Sequence, residues 1–129
     1  LRLLLDTHSL LWWLTEDRRL KAEERRAISD PASMVYVSAA TLWEIAIKAR
    51  LGRIEVKADL PRELEANRFL ELPIHWRHAR TAGALPPHHG DPFDRMLIAQ
   101  AQTESLHLVS YDPQFRDYDV QLLPARRSG

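Results

Sequence analysis

The chain opens on "LRLLL", Leu1 to Leu5, a nearly continuous apolar run of the kind that forms a strand buried on both faces. Two later runs have the same character, "MVYVS" (Met34 to Ser38) and "LHLVS" (Leu106 to Ser110). Between them the apolar positions recur at helical spacing. Helices are expected around "LLWWL" (Leu10 to Leu14), over "LKAEERRAISD" (Leu20 to Asp30), and over "RELEANRFL" after Pro61. A further one begins at Ser38 as N-cap and runs to Leu51, with Gly52 as the residue just past its end. "HWRHARTAGAL" is helical up to the Pro86-Pro87 break, and another helix runs from Pro92 to about Ser105. "ELPI" and "YDVQLL" read as short strands, the latter at an edge. Buried strands alternating with helices predict right-handed crossovers and a parallel sheet covered on both faces. The expected fold class is therefore α/β, a three-layer α/β/α sandwich around a central, mainly parallel sheet of four to five strands. Residues 1–124 are expected to form one domain, with 125–129 as a loose C-terminal tail.

Composition narrows the function classes. With 129 residues the chain suits one compact domain, and its 45% hydrophobic content is enough for a core. It has no cysteine, which excludes disulfides, thiolate metal sites and a cysteine nucleophile, and fits a reducing, cytoplasmic location. Asp6 and His8 interrupt the longest apolar stretch, so no membrane span is expected. Lys plus Arg equals Asp plus Glu at 18 each, so net charge gives no pointer to nucleic acid. Basic residues do gather between Arg18 and Arg26 and between Lys48 and Arg53, a pattern that by itself describes a solvated helix face.

The candidate chemistry lies in the acids and where they fall. Asp6 follows the first buried strand, and Glu44 lies in the helix after the second. Asp91 and Asp94 open a late helix in "PHHGDPFDRMLIAQA", and Asp112 comes two residues after "LHLVS". Parallel α/β sheets bind ligands beyond the carboxyl ends of their strands, so these acids are placed at one edge. Each also has a plain local reading. Asp91 is a good N-cap with Pro92 at the first helical position and Asp94 at N3. Asp6 can cap the next helix or make a turn with Thr7, Glu44 pairs with Lys48 at i,i+4, and Asp112 precedes Pro113 as turn openers do. Crowded carboxylates repel one another and attract a cation. A set without sulfur selects Mg²⁺ or Mn²⁺, ions that activate water for phosphodiester hydrolysis.

These segments, in this order, resemble the PIN-domain nucleases, in particular the VapC toxins of type II toxin–antitoxin pairs. "LLLDTHSLLWWL", "VSAATLWEIAIKARLGRI", "HHGDPFDRMLIAQA" and "LHLVSYDPQF" carry the resemblance, which spans Leu1 to about Leu123. Where the family more often has Ala, this chain has Ser9. The resemblance implies a PIN-like fold and a Mg²⁺-dependent endoribonuclease, with Mn²⁺ able to substitute, that inhibits translation and growth. Asp6, Glu44 and Asp94 become the core catalytic and metal-binding acids and Asp112 the fourth. Asp91 is a further candidate ligand, its alternative role being that of the N-cap alone. Thr7 and Ser110 are supporting polar groups, and Arg95 and Lys48 are candidates to hold the RNA backbone. The implied partners are an RNA substrate, a VapB-type antitoxin and a second copy of the chain. Part of the apolar helix at Leu10 to Leu14 is expected to meet a second copy or the antitoxin, the alternative being that Trp12 and Trp13 both belong to the core.

Two other classes compete. A receiver-like phosphoacceptor domain would share length, fold and Mg²⁺, but needs an acidic pair after the first strand and a lysine after the last core strand. Here those positions read Asp6-Thr7-His8 and "LHLVSYD". A catalytically silent PIN-fold interaction module would not need the full acid set. The histidines offer no zinc site: His88 and His89 are adjacent and point apart, and His75 and His78 lack an obvious third ligand.

Overall fold

The computed structural model describes residues 1–56 and 59–125. Most of the expected C-terminal tail, 125–129, lies outside the described residues. The elements run β1 (Arg2–Leu5), α1 (Thr7–Leu14), α2 (Ala22–Ser29), β2 (Met34–Ser38), α3 (Ala39–Arg50), α4 (Leu60–Ala66), β3 (Leu70–Leu72), α5 (Trp76–Ala84), α6 (Pro92–Glu104), β4 (His107–Val109), a 3₁₀ turn at Pro113–Asp117, and β5 (Leu122–Leu123). The strands form one five-stranded sheet in the order β3-β2-β1-β4-β5. Every neighbouring pair is parallel.

The sheet is covered on both sides, as the apolar runs require. In β1, Leu3 and Leu5 join a core with Leu10, Ile28 and Ile45 from the first three helices and Leu20 from the connection between α1 and α2. Leu4 faces the other way, into a core with Leu97, Ile98, Ala101 and Phe115. Alternate side chains of a strand point to opposite faces, so β1 has no solvent side. Helices on both faces make the three-layer sandwich.

Parallel pairing puts the carboxyl ends of all strands at one edge, and local signals decide what sits there. Asp6 ends β1 by capping α1, its Oδ1 accepting from the Ser9 amide at 2.8 Å. Its own N–H donates to Val109 O at 3.1 Å, which ties it to the end of β4. Ser38 ends β2 and caps α3, accepting from Ala40 N at 3.1 Å. Gly52 closes α3 at φ +74°, a left-handed position that favours glycine. A helix that precedes a strand runs antiparallel to it, so the N-terminus of α6 lies at this same edge.

Candidate active site

Asp6, Asp91 and Asp112 are the N-caps of α1, α6 and the 3₁₀ turn. Asp91 Oδ1 accepts from Phe93 N at 2.8 Å and from Asp94 N at 3.2 Å. Asp112 Oδ1 accepts from Gln114 N at 2.9 Å. Each uses one carboxylate oxygen on backbone amides, and the positive end of the helix or turn behind it eases the concentration of negative charge. Asp94, at N3 of α6, has its side chain free of capping.

The remaining groups are packed around these. Glu44 is 5% exposed, held by Thr7 Oγ1 on Oε1 at 2.6 Å and by Lys48 Nζ on Oε2 at 2.5 Å. The i,i+4 pair is thus not a surface bridge but the neutralisation of a buried acid. Ser110 Oγ accepts the Asp112 N–H at 3.1 Å and also hydrogen-bonds Asp6, which works against the upward effect of burial on the Asp6 carboxyl. Ser9 is fully buried, and its hydroxyl donates to Val109 O at 3.1 Å, so a hydroxyl at this position leaves no unpaired polar atom.

Electrostatics shows that the five acids share one field. The Asp94 carboxyl is pushed up to about 7, first by burial and then by Asp91, Glu44, Asp6 and Asp112. Asp6 is also raised, chiefly by burial. Burial accounts for the shift at Asp6, and burial with like-charged neighbours for the shift at Asp94.

Sequence reasoning missed His89. It is 9% exposed, with Nε2 at 3.0 Å from Asp94 Oδ2 and 3.6 Å from Asp112 Oδ2. Ligand atoms of His89, Asp94 and Asp112 all lie within 4.8 Å of one another, close enough to surround a cation. Yet its Nδ1 accepts the Asp91 N–H at 3.2 Å, so a neutral ring bonded this way carries its proton on Nε2. It therefore presents an N–H to the carboxylates rather than a lone pair to an ion. Neither carboxylate is aligned for a regular hydrogen bond with it. The only sequence signal was its place two residues before the capping Asp91.

Arg95 is engaged elsewhere than on an open rim. Its Nη1 donates to Pro86 O at 2.9 Å and His89 O at 3.3 Å, and its Nη2 to Ala82 O and Leu85 O at 2.9 Å each. The guanidinium knits together the loop that carries His89. Arg95→Lys should destabilise the protein by about 1–3 kcal/mol, because an ammonium cannot replace the fork and leaves carbonyls unpaired. Thermal melts check this, and an unchanged melting temperature would remove Arg95 from the loop's supports.

Asp91 allows a second test. Asn caps about as well as Asp, so Asp91→Asn should melt close to wild type at acidic pH, where charge effects are smallest. Asp91→Ala should lose about 0.5–2 kcal/mol, the usual range for a missing cap. Equal melting of the two variants would mean that the cap adds little to α6.

The apolar face of α1 is half-buried within the chain. Trp13 Nε1 donates to Asn67 Oδ1 at 3.0 Å, and Trp12 packs beside Tyr111 with the Arg19 guanidinium 4.9 Å from its ring. The most exposed large apolar residues are instead Trp76 at 95% and Trp43 at 63%.

Comparison with known proteins agrees with this architecture. The PIN domain family profile matches residues 3–121. Ribonuclease VapC22 of Mycobacterium tuberculosis is 33% identical over 118 residues, covering 89% of this chain and 90% of that protein. Among solved structures, VapBC2 from Rickettsia felis bound to a promoter DNA fragment superposes with a TM-score of 0.70 at 13% identity, covering 95% of this chain and 97% of that one. VapBC-1 from nontypeable Haemophilus influenzae gives 0.64 at 20% identity, covering 95% and 96%.

Proposed function

The chain belongs to the PIN-domain family, and from that premise we propose that it is a Mg²⁺-dependent endoribonuclease, the toxin of a toxin–antitoxin pair. The observation that carries the reading is the Asp94 carboxyl, raised to about 7 by burial and four neighbouring acids. Such a cluster is stabilised by a divalent cation. The donors fit Mg²⁺ or Mn²⁺: carboxylate oxygens and no sulfur. Asp94, Asp112, Asp6 and Glu44 would hold the ion, with Asp91 beside them. When bound, the ion supplies charge stabilisation for the phosphodiester undergoing hydrolysis and lowers the pKa of attacking water.

The other residues arrange this set. Thr7 fixes one oxygen of Glu44, and Lys48 balances the other. Ser110 bridges Asp6 and the Asp112 backbone. His89 Nε2 lies 3.0 Å from Asp94 Oδ2 and 3.6 Å from Asp112 Oδ2, so the ring borders both carboxylates. Lys48, a third exposed where it pairs with Glu44, would be the basic group to meet an RNA phosphate. The receiver-like alternative is disfavoured by the sheet, because receiver domains have the strand order 2-1-3-4-5 and this chain has 3-2-1-4-5.

The solved relatives are VapBC assemblies, which supports a VapB-type antitoxin as partner. A groove of about 390 Å³, lined mainly by apolar residues such as Val37, Leu42, Leu64 and Phe69 with Glu65 and Glu71 among them, offers a surface for it; none of the five clustered acids lines it. Pairing of two copies and inhibition of translation belong to the same reading, and no helix among the described residues is long and apolar enough to cross a membrane. The experiment is incubation of purified protein with total RNA and Mg²⁺, mapping the cut sites. Discrete cuts that disappear on chelation are expected; intact RNA with either Mg²⁺ or Mn²⁺ would overturn the activity.

A further inference from the structure

Trp43 and Phe93 occupy matching places. Trp43 directly precedes Glu44 on α3, and Phe93 directly precedes Asp94 on α6. Their rings meet edge to face, centroids 5.4 Å apart at 74°. Phe93 is half-buried, while Trp43 stays 63% exposed. An indole held in place by a partner ring, yet left largely in water, contributes little to the core and loses little on stacking with a ligand. Glu44 and Asp94 lie close enough to share one field, and the ring pair joins α3 to α6 at their immediate sequence neighbours.

We propose that Trp43, braced by Phe93, is a stacking platform for an unpaired nucleobase next to the scissile phosphate. This deepens the ribonuclease reading and rests on it. Three features favour a base over other occupants. A base flanking a phosphate held by Glu44 and Asp94 would meet the ring pair formed by their immediate neighbours. Stacking needs no hydrogen-bonding groups, and Trp43 is left largely exposed. The brace keeps the ring from collapsing onto the protein, which preorganises it. A base already stacked within a duplex cannot reach the ring, so the platform selects single-stranded or looped RNA.

The test uses the full chain with Mg²⁺ and two probes, a random-sequence single-stranded RNA of about twelve nucleotides and the same RNA annealed to its complement. Wild type should cut the single strand in preference to the duplex. Trp43→Leu keeps apolar bulk without an aromatic face, and its KM for the single strand should rise about 5- to 100-fold, the range for one stacked base. Trp43→Phe should recover most of that loss, and neither variant should shift the melting temperature. Light scattering on the same samples should show the oligomeric state of wild type.

The outcomes separate cleanly. If wild type cuts neither probe nor total RNA, the ribonuclease reading fails and takes the platform with it. If wild type cuts RNA and Trp43→Leu has an unchanged KM and the same cut positions, the platform alone is wrong. If Trp43→Leu changes the oligomeric state, the ring covers a protein contact and the platform is overturned in favour of an interface.

Discussion

Asp94→Asn is expected to lower RNA cleavage by orders of magnitude while making the metal-free protein more stable at neutral pH. The loss follows from removing a charge that holds the cation only usefully in the reacting complex. The gain follows from linkage. In the folded protein the Asp94 carboxyl is raised from 3.8 to about 7, so between those values the native state keeps a proton that the unfolded chain has released. Stability of the wild type therefore falls as pH rises through that window. Asparagine has nothing to titrate. The variant should melt with wild type near pH 4 and above it by pH 8, the difference reaching at most a few kcal/mol. Cleavage assays and melts across pH measure both halves. Normal cleavage by Asp94→Asn would return that residue to the role of a helix-start acid.

Chelation should abolish cleavage, and Mg²⁺ or Mn²⁺ should restore it where zinc does not, since the set lacks sulfur and is dominated by carboxylates. The ion should also raise the melting temperature, because it binds the folded state alone. At a concentration a hundred times its dissociation constant the stabilisation is about 2.7 kcal/mol. The Asp94 carboxyl must lose its proton to bind the ion, so the rise should be larger at pH 8 than at pH 6. That is opposite in sign to the metal-free trend. Calorimetric titration that detects no divalent binding to cleaving protein would end the metal mechanism.

What could be read from the sequence was what burial on both faces writes into it. β1, β2 and β4 stand out as apolar runs, and the observed bounds differ from expectation by a residue or two. Caps at Asp6, Ser38 and Asp91 and the closing Gly52 were also legible, because each follows from one residue's local chemistry. "YDVQLL" alternates as a strand should, yet only Leu122 and Leu123 pair. Tyr118 and Val120 satisfy the alternation by entering the core from a loop. The helix expected through Leu70 stops at Ala66, where Arg68 adopts φ +60°. No glycine announces that turn, so the start of β3 was hidden. The helix of α3 also proved less buried than its apolar content suggests, with Trp43 and Ala46 exposed. At the site the acids were legible because topology collects strand ends at one edge. His89 and the duties of Arg95 were not, because both depend on the path of the 85–89 loop, which has no periodicity to read.

The shared use of Asp6, Asp91 and Asp112 restricts which residues these positions can accept. Asparagine, serine and threonine keep a cap but discard the charge; glutamate keeps the charge, but its longer arm misses the amides two and three residues on. Aspartate alone meets both demands. A saturation library scored once for folding and once for cleavage should therefore split at each of these positions into two failing groups. Neutral cappers would fold without cutting wherever the charge is needed for the ion. Glutamate would hold the charge on a frayed helix end, and its defect should shrink as temperature is lowered.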